Sequence, residues 1–163
     1  RILRTTMEYC ENNKVDLVII GWSTHERFEF AWKDERKDYT LYKQSDDADL
    51  QKFYRYADLH LADWNIGLDN TITYMLSLQT YLESKGIEFI FCNMFNSIPE
   101  DCQNKLWNSI DTSKYYKPHE SFIENYMVNF PKGFSESKHI TDEGLYKKIA
   151  DNLKEMYEWR YYT

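Results

Sequence analysis

The sequence has little cysteine and no long apolar run. Its three cysteines, Cys10, Cys92 and Cys102, are odd in number and lack the spacing of a metal site. No segment resembles a signal peptide or a membrane span. We therefore expect a soluble protein of a reducing compartment, with no membrane partner, no metal and no cofactor.

Clustered basic residues, internal repeats, low-complexity tracts and interdomain linkers are also missing from the sequence. The formal net charge of -7 disfavours nonspecific binding to nucleic acid, because phosphate contacts need clustered Lys and Arg. A nuclease would also need clustered carboxylates with a Lys at the strand ends, and the sequence shows no such cluster. With 163 residues and no linker, the chain is predicted to form a single α/β domain.

Aromatic residues, in contrast, are abundant. They make up 17% of a sequence that is 42% hydrophobic and 29% charged, and this composition argues against disorder. A surplus of aromatic rings is typical of a sugar-binding or protein-binding face. It is equally typical of tyrosines that fill core and boundary positions, and the composition leaves both interpretations open.

The first part of the sequence alternates between helical and strand patterns. Helical spacing of apolar residues predicts a helix over 2–12. A near-continuous aliphatic run then predicts a strand over 15–20 that ends at Gly21. Such a run is typical of a strand buried on both faces of a parallel sheet.

The same order of elements is repeated further along the chain. Apolar residues at three- and four-residue steps over 49–83 indicate one long helix or two consecutive helices, with Gly67 as a weak point. A second strand is predicted over 87–93. This order predicts parallel pairing, and two strands alone would need another segment, from this protein or from a partner chain, to complete the sheet.

The remaining segments have weaker patterns. The charged stretch 32–49 is predicted to be a surface excursion, and 96–118 a loop with a short helix at about 102–110. Another short helix is predicted over 121–128. The last helix is predicted over about 142–159.

Two residues before the last helix have the chemistry of a catalytic pair. Glu136 precedes His139 by three residues, and such an acid can hold an imidazole in one tautomer while the other ring nitrogen takes a proton. A histidine in a loop is more often exposed and inert, but α/β folds concentrate functional groups at one rim of the sheet. The pair would be half of a hydrolase triad. A serine on a Gly-rich turn after a first strand is missing from this sequence.

The segment from Glu136 through His139 to Gly144, with the helix that follows it, resembles the last conserved block of the SGNH (GDSL-type) hydrolases. That block supplies the Asp and the His of the family's triad. The segment 15–23 is similar to the family's third block, a hydrophobic strand that normally ends in Gly-x-Asn-Asp. Its end, Gly-Trp-Ser-Thr at 21–24, is closer to a divergent form found in SGNH-like proteins of tailed phages.

The resemblance implies a flavodoxin-like, three-layer α/β/α fold with a mostly parallel sheet that is incomplete at its N-terminus. It implies that His139 is the general base and that Glu136 replaces the usual Asp. Ser23 or Thr24 would replace the oxyanion-hole Asn as a hydrogen-bond donor. The blocks with the nucleophilic Ser and the oxyanion Gly would lie upstream of Arg1 or outside this chain, which would then be the C-terminal portion of a larger protein.

Three residues after the first predicted strand are predicted to bind substrate: Trp22, Thr24 and Arg27. They follow the carboxyl end of that strand, and ligands of open α/β sheets bind at this rim. Arg27 would suit an anionic or sugar substrate. The alternative to substrate binding is that Arg27 forms an ion pair with Glu29 or a nearby Asp.

The resemblance implies an SGNH-like serine esterase or acyl hydrolase that acts on an ester or an acylated carbohydrate, for example as a carbohydrate deacetylase. The alternative is a noncatalytic structural or binding protein of a phage that retains the fold without the chemistry. Both would be found in an infected host cell or in a virion.

Overall fold

The computed structural model describes residues 1–129 and 143–162 of a mixed α/β chain. Two short 3-10 helices, Lys105–Ser109 and Thr112–Lys114, lie in the long connection before the last strand. The helices and strands are, in chain order, α1 (Ile2–Asn12), β1 (Leu17–Trp22), β2 (Phe28–Trp32), β3 (Glu35–Tyr39), α2 (Ala48–His60), α3 (Trp64–Ser84), β4 (Glu88–Asn93), β5 (Tyr115–Tyr116), α4 (Phe122–Asn129) and α5 (Glu143–Tyr162).

Three parallel strands form the central sheet, in the order β1-β4-β5. The register runs from Leu17 opposite Glu88 to Trp22 opposite Asn93, so β1 and β4 end at the same edge. The predicted α/β class with parallel pairing is confirmed, and the arrangement is consistent with a flavodoxin-like α/β/α fold. The predicted helices at 2–12, 121–128 and 142–159 are also present, with ends shifted by at most three residues.

The third strand differs from the prediction. The segment 96–118 was expected to be a loop around a short helix, but Tyr115 pairs with Phe91 and Tyr116 pairs with Cys92. A two-residue strand is too short to show an alternating pattern, so only tertiary pairing reveals it. The chain itself therefore supplies a segment that extends the sheet beyond two strands.

β1 also differs from its prediction as a strand buried on both faces. It lies at one end of the strand order and pairs with β4 alone among the described strands. Ile20 and Trp22 are buried, whereas Ile19 is 48% exposed. Within residues 1–129 and 143–162, the aliphatic run therefore forms an edge strand with one covered face.

The chain divides into two compact units. One contains Arg1–Lys14, Thr24–Tyr81 and Gln103–Ile110. The second contains Val15–Ser23, Leu82–Cys102 and the described residues of Asp111–Thr163, and it holds the whole parallel sheet. Folding as a single domain stays a prediction.

Side chains of β4 point alternately to the two faces of the sheet, and the core of the second unit lies on one of these faces. Ile90 and Cys92 pack on the face covered by α4 and α5. Burial raises the pKa of the Cys92 thiol to about 12, so the side chain stays a neutral thiol. The helical residues of this cluster are spaced so that each helix buries one stripe: Phe122, Tyr126, Leu145, Ile149 and Leu153.

The first unit contains a β-hairpin that the sequence pattern did not predict. The segment 32–49 was interpreted as a surface excursion, but β2 and β3 pair in antiparallel register from Phe28 opposite Tyr39 to Trp32 opposite Glu35. Lys33 and Asp34 form the turn with φ of 47° and 63°. Such a turn normally contains Asn or Gly, so Lys33 and Asp34 gave no sequence signal for a hairpin. The hairpin packs on α2 through a cluster of buried residues: Tyr39, Leu50, Tyr54 and Ala57.

Helices α2 and α3 are separate, and the break lies at residues 61–63 rather than at Gly67. Asp63 caps α3 by accepting a hydrogen bond from the Ile66 backbone N–H at 2.9 Å. Gly67 lies inside α3, where a Cβ would be 2.4 Å from the carbonyl oxygen of His25. The glycine is therefore needed for close packing of the chain at His25, and it does not end a helix.

We expect Gly67→Ala to lower the free energy of unfolding by about 2 kcal/mol, because the new methyl group must push backbone atoms aside. Urea denaturation measures this change. Asn70→Ala, at an exposed position of the same helix, is the matched control and should be neutral or slightly stabilising. Equal stability of Gly67→Ala and the native protein would contradict the close packing.

Candidate functional site

A cavity opens where the parallel strands end. Its volume is about 560 Å³, and all of its lining residues belong to the second unit. It is bordered by Asn93 at the end of β4, by Tyr116 of β5 and the chain that follows it, and by side chains of α4 and α5. Open α/β sheets bind ligands at this carboxyl edge. The cavity is therefore the candidate functional site.

Aromatic rings form one part of the lining. The Tyr116 ring stacks on Phe122, with centroids 5.4 Å apart and planes at 12°, and Phe122 lies 5.8 Å from Tyr126. These rings extend the apolar cluster between the sheet and the helices up to the cavity. They give the site apolar surfaces beside polar groups, a combination typical of small-molecule pockets.

The Asn93 side chain fixes the chain at the edge of the site. It is 1% exposed, and its amide oxygen accepts a hydrogen bond from the Tyr115 hydroxyl at 2.6 Å. Its amide nitrogen donates to the carbonyl oxygens of Pro118 and Glu120, at 2.7 Å and 3.2 Å. Burial raises the pKa of Tyr115 well above its usual value, so its hydroxyl stays a donor. One buried amide thus joins β4, β5 and the segment between β5 and α4.

That segment presents an ion pair at the cavity. The Lys117 ammonium lies 3.0 Å from the Glu120 carboxylate, which also accepts a 2.6 Å hydrogen bond from the Asn125 side chain. The side-chain hydrogen bond between them raises the pKa of Lys117 and lowers that of Glu120, so both are charged at neutral pH. Lys117 has a φ of 43°, a left-handed conformation that is strained for a residue with a side chain.

Ser121 lines the cavity but has a structural role. Its hydroxyl accepts from the Glu124 backbone N–H at 3.1 Å and donates to the Glu124 carboxylate at 2.8 Å. This arrangement caps the N-terminus of α4. Ser121 is therefore held as a helix cap.

Helix α5 provides the opposite wall. Lys148 and Asn152 are four residues apart and both line the cavity. The Lys148 ammonium lies 5.8 Å from the centre of the Tyr126 ring, and the Asn152 amide donates to the Tyr126 hydroxyl. Neighbouring positions of α5, including Leu145 and Ile149, are buried in the core. The core stripe thus orients the polar pair toward the cavity.

The substrate-binding residues that were predicted from the sequence, Trp22, Thr24 and Arg27, do not line this cavity. Trp22 is 4% exposed, packs edge-to-face on Phe91 at 5.5 Å, and does not line the cavity. Ser23 directly follows β1 and is half-buried. Thr24 and Arg27 belong to the first unit, where the Arg27 guanidinium lies 3.0 Å from the Asp38 carboxylate. This ion pair matches the alternative considered for Arg27, and the substrate-binding roles stay predictions.

His139 and Glu136 lie outside the described residues. Their roles as general base and orienting acid therefore stay predictions. Within residues 1–129 and 143–162, His, Cys, Asp and Glu side chains form no group of three or more that could hold a metal ion.

Comparison with models of protein families, with curated proteins and with solved structures finds no match for this chain. The resemblance to SGNH hydrolases thus depends on the motifs of the sequence. Among the described helices, none combines the length and the apolar character that a bilayer crossing requires.

Most of the cavity was not predicted from the sequence. Asn93 could have been found, because a polar residue at the carboxyl end of a buried strand is a recognisable signal. Lys117, Tyr126, Lys148 and Asn152 carry no such signal, because tertiary packing alone brings their elements together.

We expect Asn93→Ala to lower the free energy of unfolding by about 3 kcal/mol, because it leaves the Tyr115 hydroxyl and two carbonyl groups without their partner. Guanidinium denaturation measures this loss. Asn108→Ala, at an exposed position, should change stability by less than about 0.5 kcal/mol. A similarly small effect at Asn93 would show that its hydrogen bonds do not hold the edge together.

The ion pair of Lys117 and Glu120 predicts a pH dependence. Because the Glu120 pKa is lowered by folding, its stabilising contribution is present above the ordinary value of 4.5 and is lost as the pH falls through the folded value. A double-mutant cycle with Lys117→Gln and Glu120→Gln should therefore give a coupling energy at pH 7 that disappears toward pH 2. A coupling that is constant across this range would contradict the ion pair.

Proposed function

We propose that this chain binds an acylated carbohydrate or a related ester at the carboxyl edge of its sheet, and that it takes part in ester hydrolysis as an SGNH-like serine esterase. The observation that carries the proposal is the 560 Å³ cavity at this edge. In this proposal the nucleophilic serine is supplied from outside these 163 residues, by another segment or a partner chain.

The lining of the cavity supports a sugar as the ligand. The rings of Tyr116 and Tyr126 offer faces on which an apolar sugar face can stack. Asn125 and Asn152 add amide groups, which can donate to or accept from hydroxyl groups. Rings beside hydrogen-bonding amides suit a ligand that is apolar on one face and polar at its rim.

The position of α5 supports the catalytic part of the proposal. This helix forms one wall of the cavity, and His139 precedes it by four residues in the sequence. In the proposed reaction the serine attacks the ester carbonyl and His139 accepts its proton. Glu136 orients the resulting imidazolium. Backbone amides stabilise the oxyanion. The Ser23 hydroxyl stays the predicted further donor, although Ser23 is not among the residues that line the cavity.

A noncatalytic binding protein of a phage is the second candidate. It is favoured by the replacement of the third-block Asn by Ser23, since loss of one oxyanion donor costs about 100- to 1000-fold in rate. Such a protein would bind the carbohydrate and leave its ester intact, in a virion or in an infected cell.

The test compares hydrolysis of a nitrophenyl acetate ester and of an acetylated xylo-oligosaccharide by the full-length protein and by two variants. His139→Ala should lower kcat/KM by at least about 100-fold, because the general base is lost. His60→Ala removes an exposed histidine of α2 and is the matched control, with an expected rate near that of the native protein. Equal rates for both variants would refute the hydrolase, and binding of the oligosaccharide without hydrolysis would favour the noncatalytic protein.

A further inference from the structure

Helix α2 presents large apolar side chains to solvent on the side away from its core stripe. Leu50, Tyr54 and Ala57 are buried against the hairpin. Tyr56 and Leu59, in contrast, are 56% and 77% exposed. Neighbouring exposed apolar side chains mark contact surfaces, whereas single scattered ones are ordinary. All of these residues belong to the first unit, in which the structure describes every residue.

The chain before α2 adds a further exposed ring beside this face. Tyr42 is 77% exposed, and its backbone N–H donates to the Asp58 carboxylate of α2 at 3.0 Å. The same carboxylate oxygen accepts a hydrogen bond from the buried Tyr39 hydroxyl. Tyr42 has a φ of 59°, a left-handed conformation that is strained for a residue with a side chain. Asp58 thus holds a strained loop that displays an aromatic ring next to Leu59.

Charged residues flank the apolar side chains of α2 in an order that suits a second copy of the chain. Lys52 lies four residues before Tyr56 on the same helix face, and its side chain is 77% exposed. Asp63, which is also exposed, lies four residues after Leu59. In an antiparallel pair of α2 helices with a two-fold axis between Tyr56 and Leu59, each Tyr56 lies opposite the partner's Leu59. Each Lys52 then lies opposite the partner's Asp63.

Both charged groups can take part in such a contact. Lys52 lies 3.0 Å from Asp49 in an exposed ion pair, and pairs of this kind contribute little to stability. Asp63 caps α3 by accepting from the Ile66 backbone N–H. A carboxylate has two oxygens and several acceptor sites, so the same side chain can also accept from a lysine.

We propose that two copies of this protein associate through the exposed face of α2, as a weak and reversible dimer. The inference goes beyond the proposed function, because the residues that line the cavity belong to the second unit. Tyr42, Tyr56 and Leu59 together expose roughly 500 Å² on each copy. A symmetric contact uses this face twice and covers about 1,000 Å², an area typical of weak and transient complexes. Its apolar centre and charged rim match the usual composition of an interface.

Sedimentation velocity of the full-length protein over about 5 to 500 µM tests the proposal. We expect a shift from monomer to dimer with increasing concentration, with a Kd of about 10 to 100 µM. Leu59→Glu should raise this Kd by at least about tenfold, because it buries a carboxylate in the apolar centre of the contact. Leu106→Glu is the matched control. Leu106 is also exposed but lies outside α2, so this variant should associate like the native protein.

A charge reversal tests the orientation of the two helices. Lys52→Glu places an acid opposite the partner's Asp63, so the Kd should rise by about fivefold or more. Adding Asp63→Asn removes this repulsion and keeps a residue that can cap α3, so association should recover in part. Circular dichroism verifies that each variant is folded.

A native protein that stays monomeric over this range would overturn the proposal and leave the face to a different partner. A dimer that Leu59→Glu does not weaken would overturn it as well, because association would then use another surface. Lys52→Glu without effect, or no recovery when Asp63→Asn is added, would contradict the antiparallel pairing of the helices.

Discussion

The buried amide of Asn93 is the interaction on which the edge of the sheet depends. A polar side chain inside a core is costly unless its groups are paired, and here the amide pairs with one hydroxyl and two carbonyl groups. These bonds connect the end of β4 to β5 and to the segment before α4. The strained backbone at Lys117 lies in that same segment, and it can persist because the surrounding contacts determine its position.

The segment between β5 and α4, which Asn93 holds in place, forms part of the cavity lining. Tyr116, Lys117 and Glu120 take their positions from the same part of the chain, and Ser121 then caps α4. On the opposite side, the apolar stripe of α5 packs on the sheet and leaves Lys148 and Asn152 at the cavity. The site is thus built from secondary structure and short connections whose positions are set by core packing, which is the condition for a preorganised binding site.

The sequence predicted the strongly patterned parts of this structure. β1, β4 and the long helices have continuous apolar runs or clear helical periods, and their order required parallel strands. The hairpin was missed because its turn contains Lys33 and Asp34 in place of Asn and Gly. β5 was missed because two residues show no period.

The candidate site was less predictable than the fold. Sequence motifs pointed to Trp22, the last residue of β1, and to Ser23 directly after it, but the indole of Trp22 is packed in the core. The residues of the cavity come from β4, β5, α4, α5 and the segment between β5 and α4, and no local sequence pattern predicts that these parts of the chain lie together. Only Asn93 had a signal, through its place at the end of a buried strand.

The most direct test of the account is a backbone-amide NMR titration of the full-length protein with an acetylated oligosaccharide. The account predicts that the largest shifts occur at the carboxyl edge of the sheet, at Tyr116, Tyr126 and Asn152, and that they saturate together. Shifts confined to other surfaces, or no saturable shifts, would contradict the assignment of this cavity as the binding site.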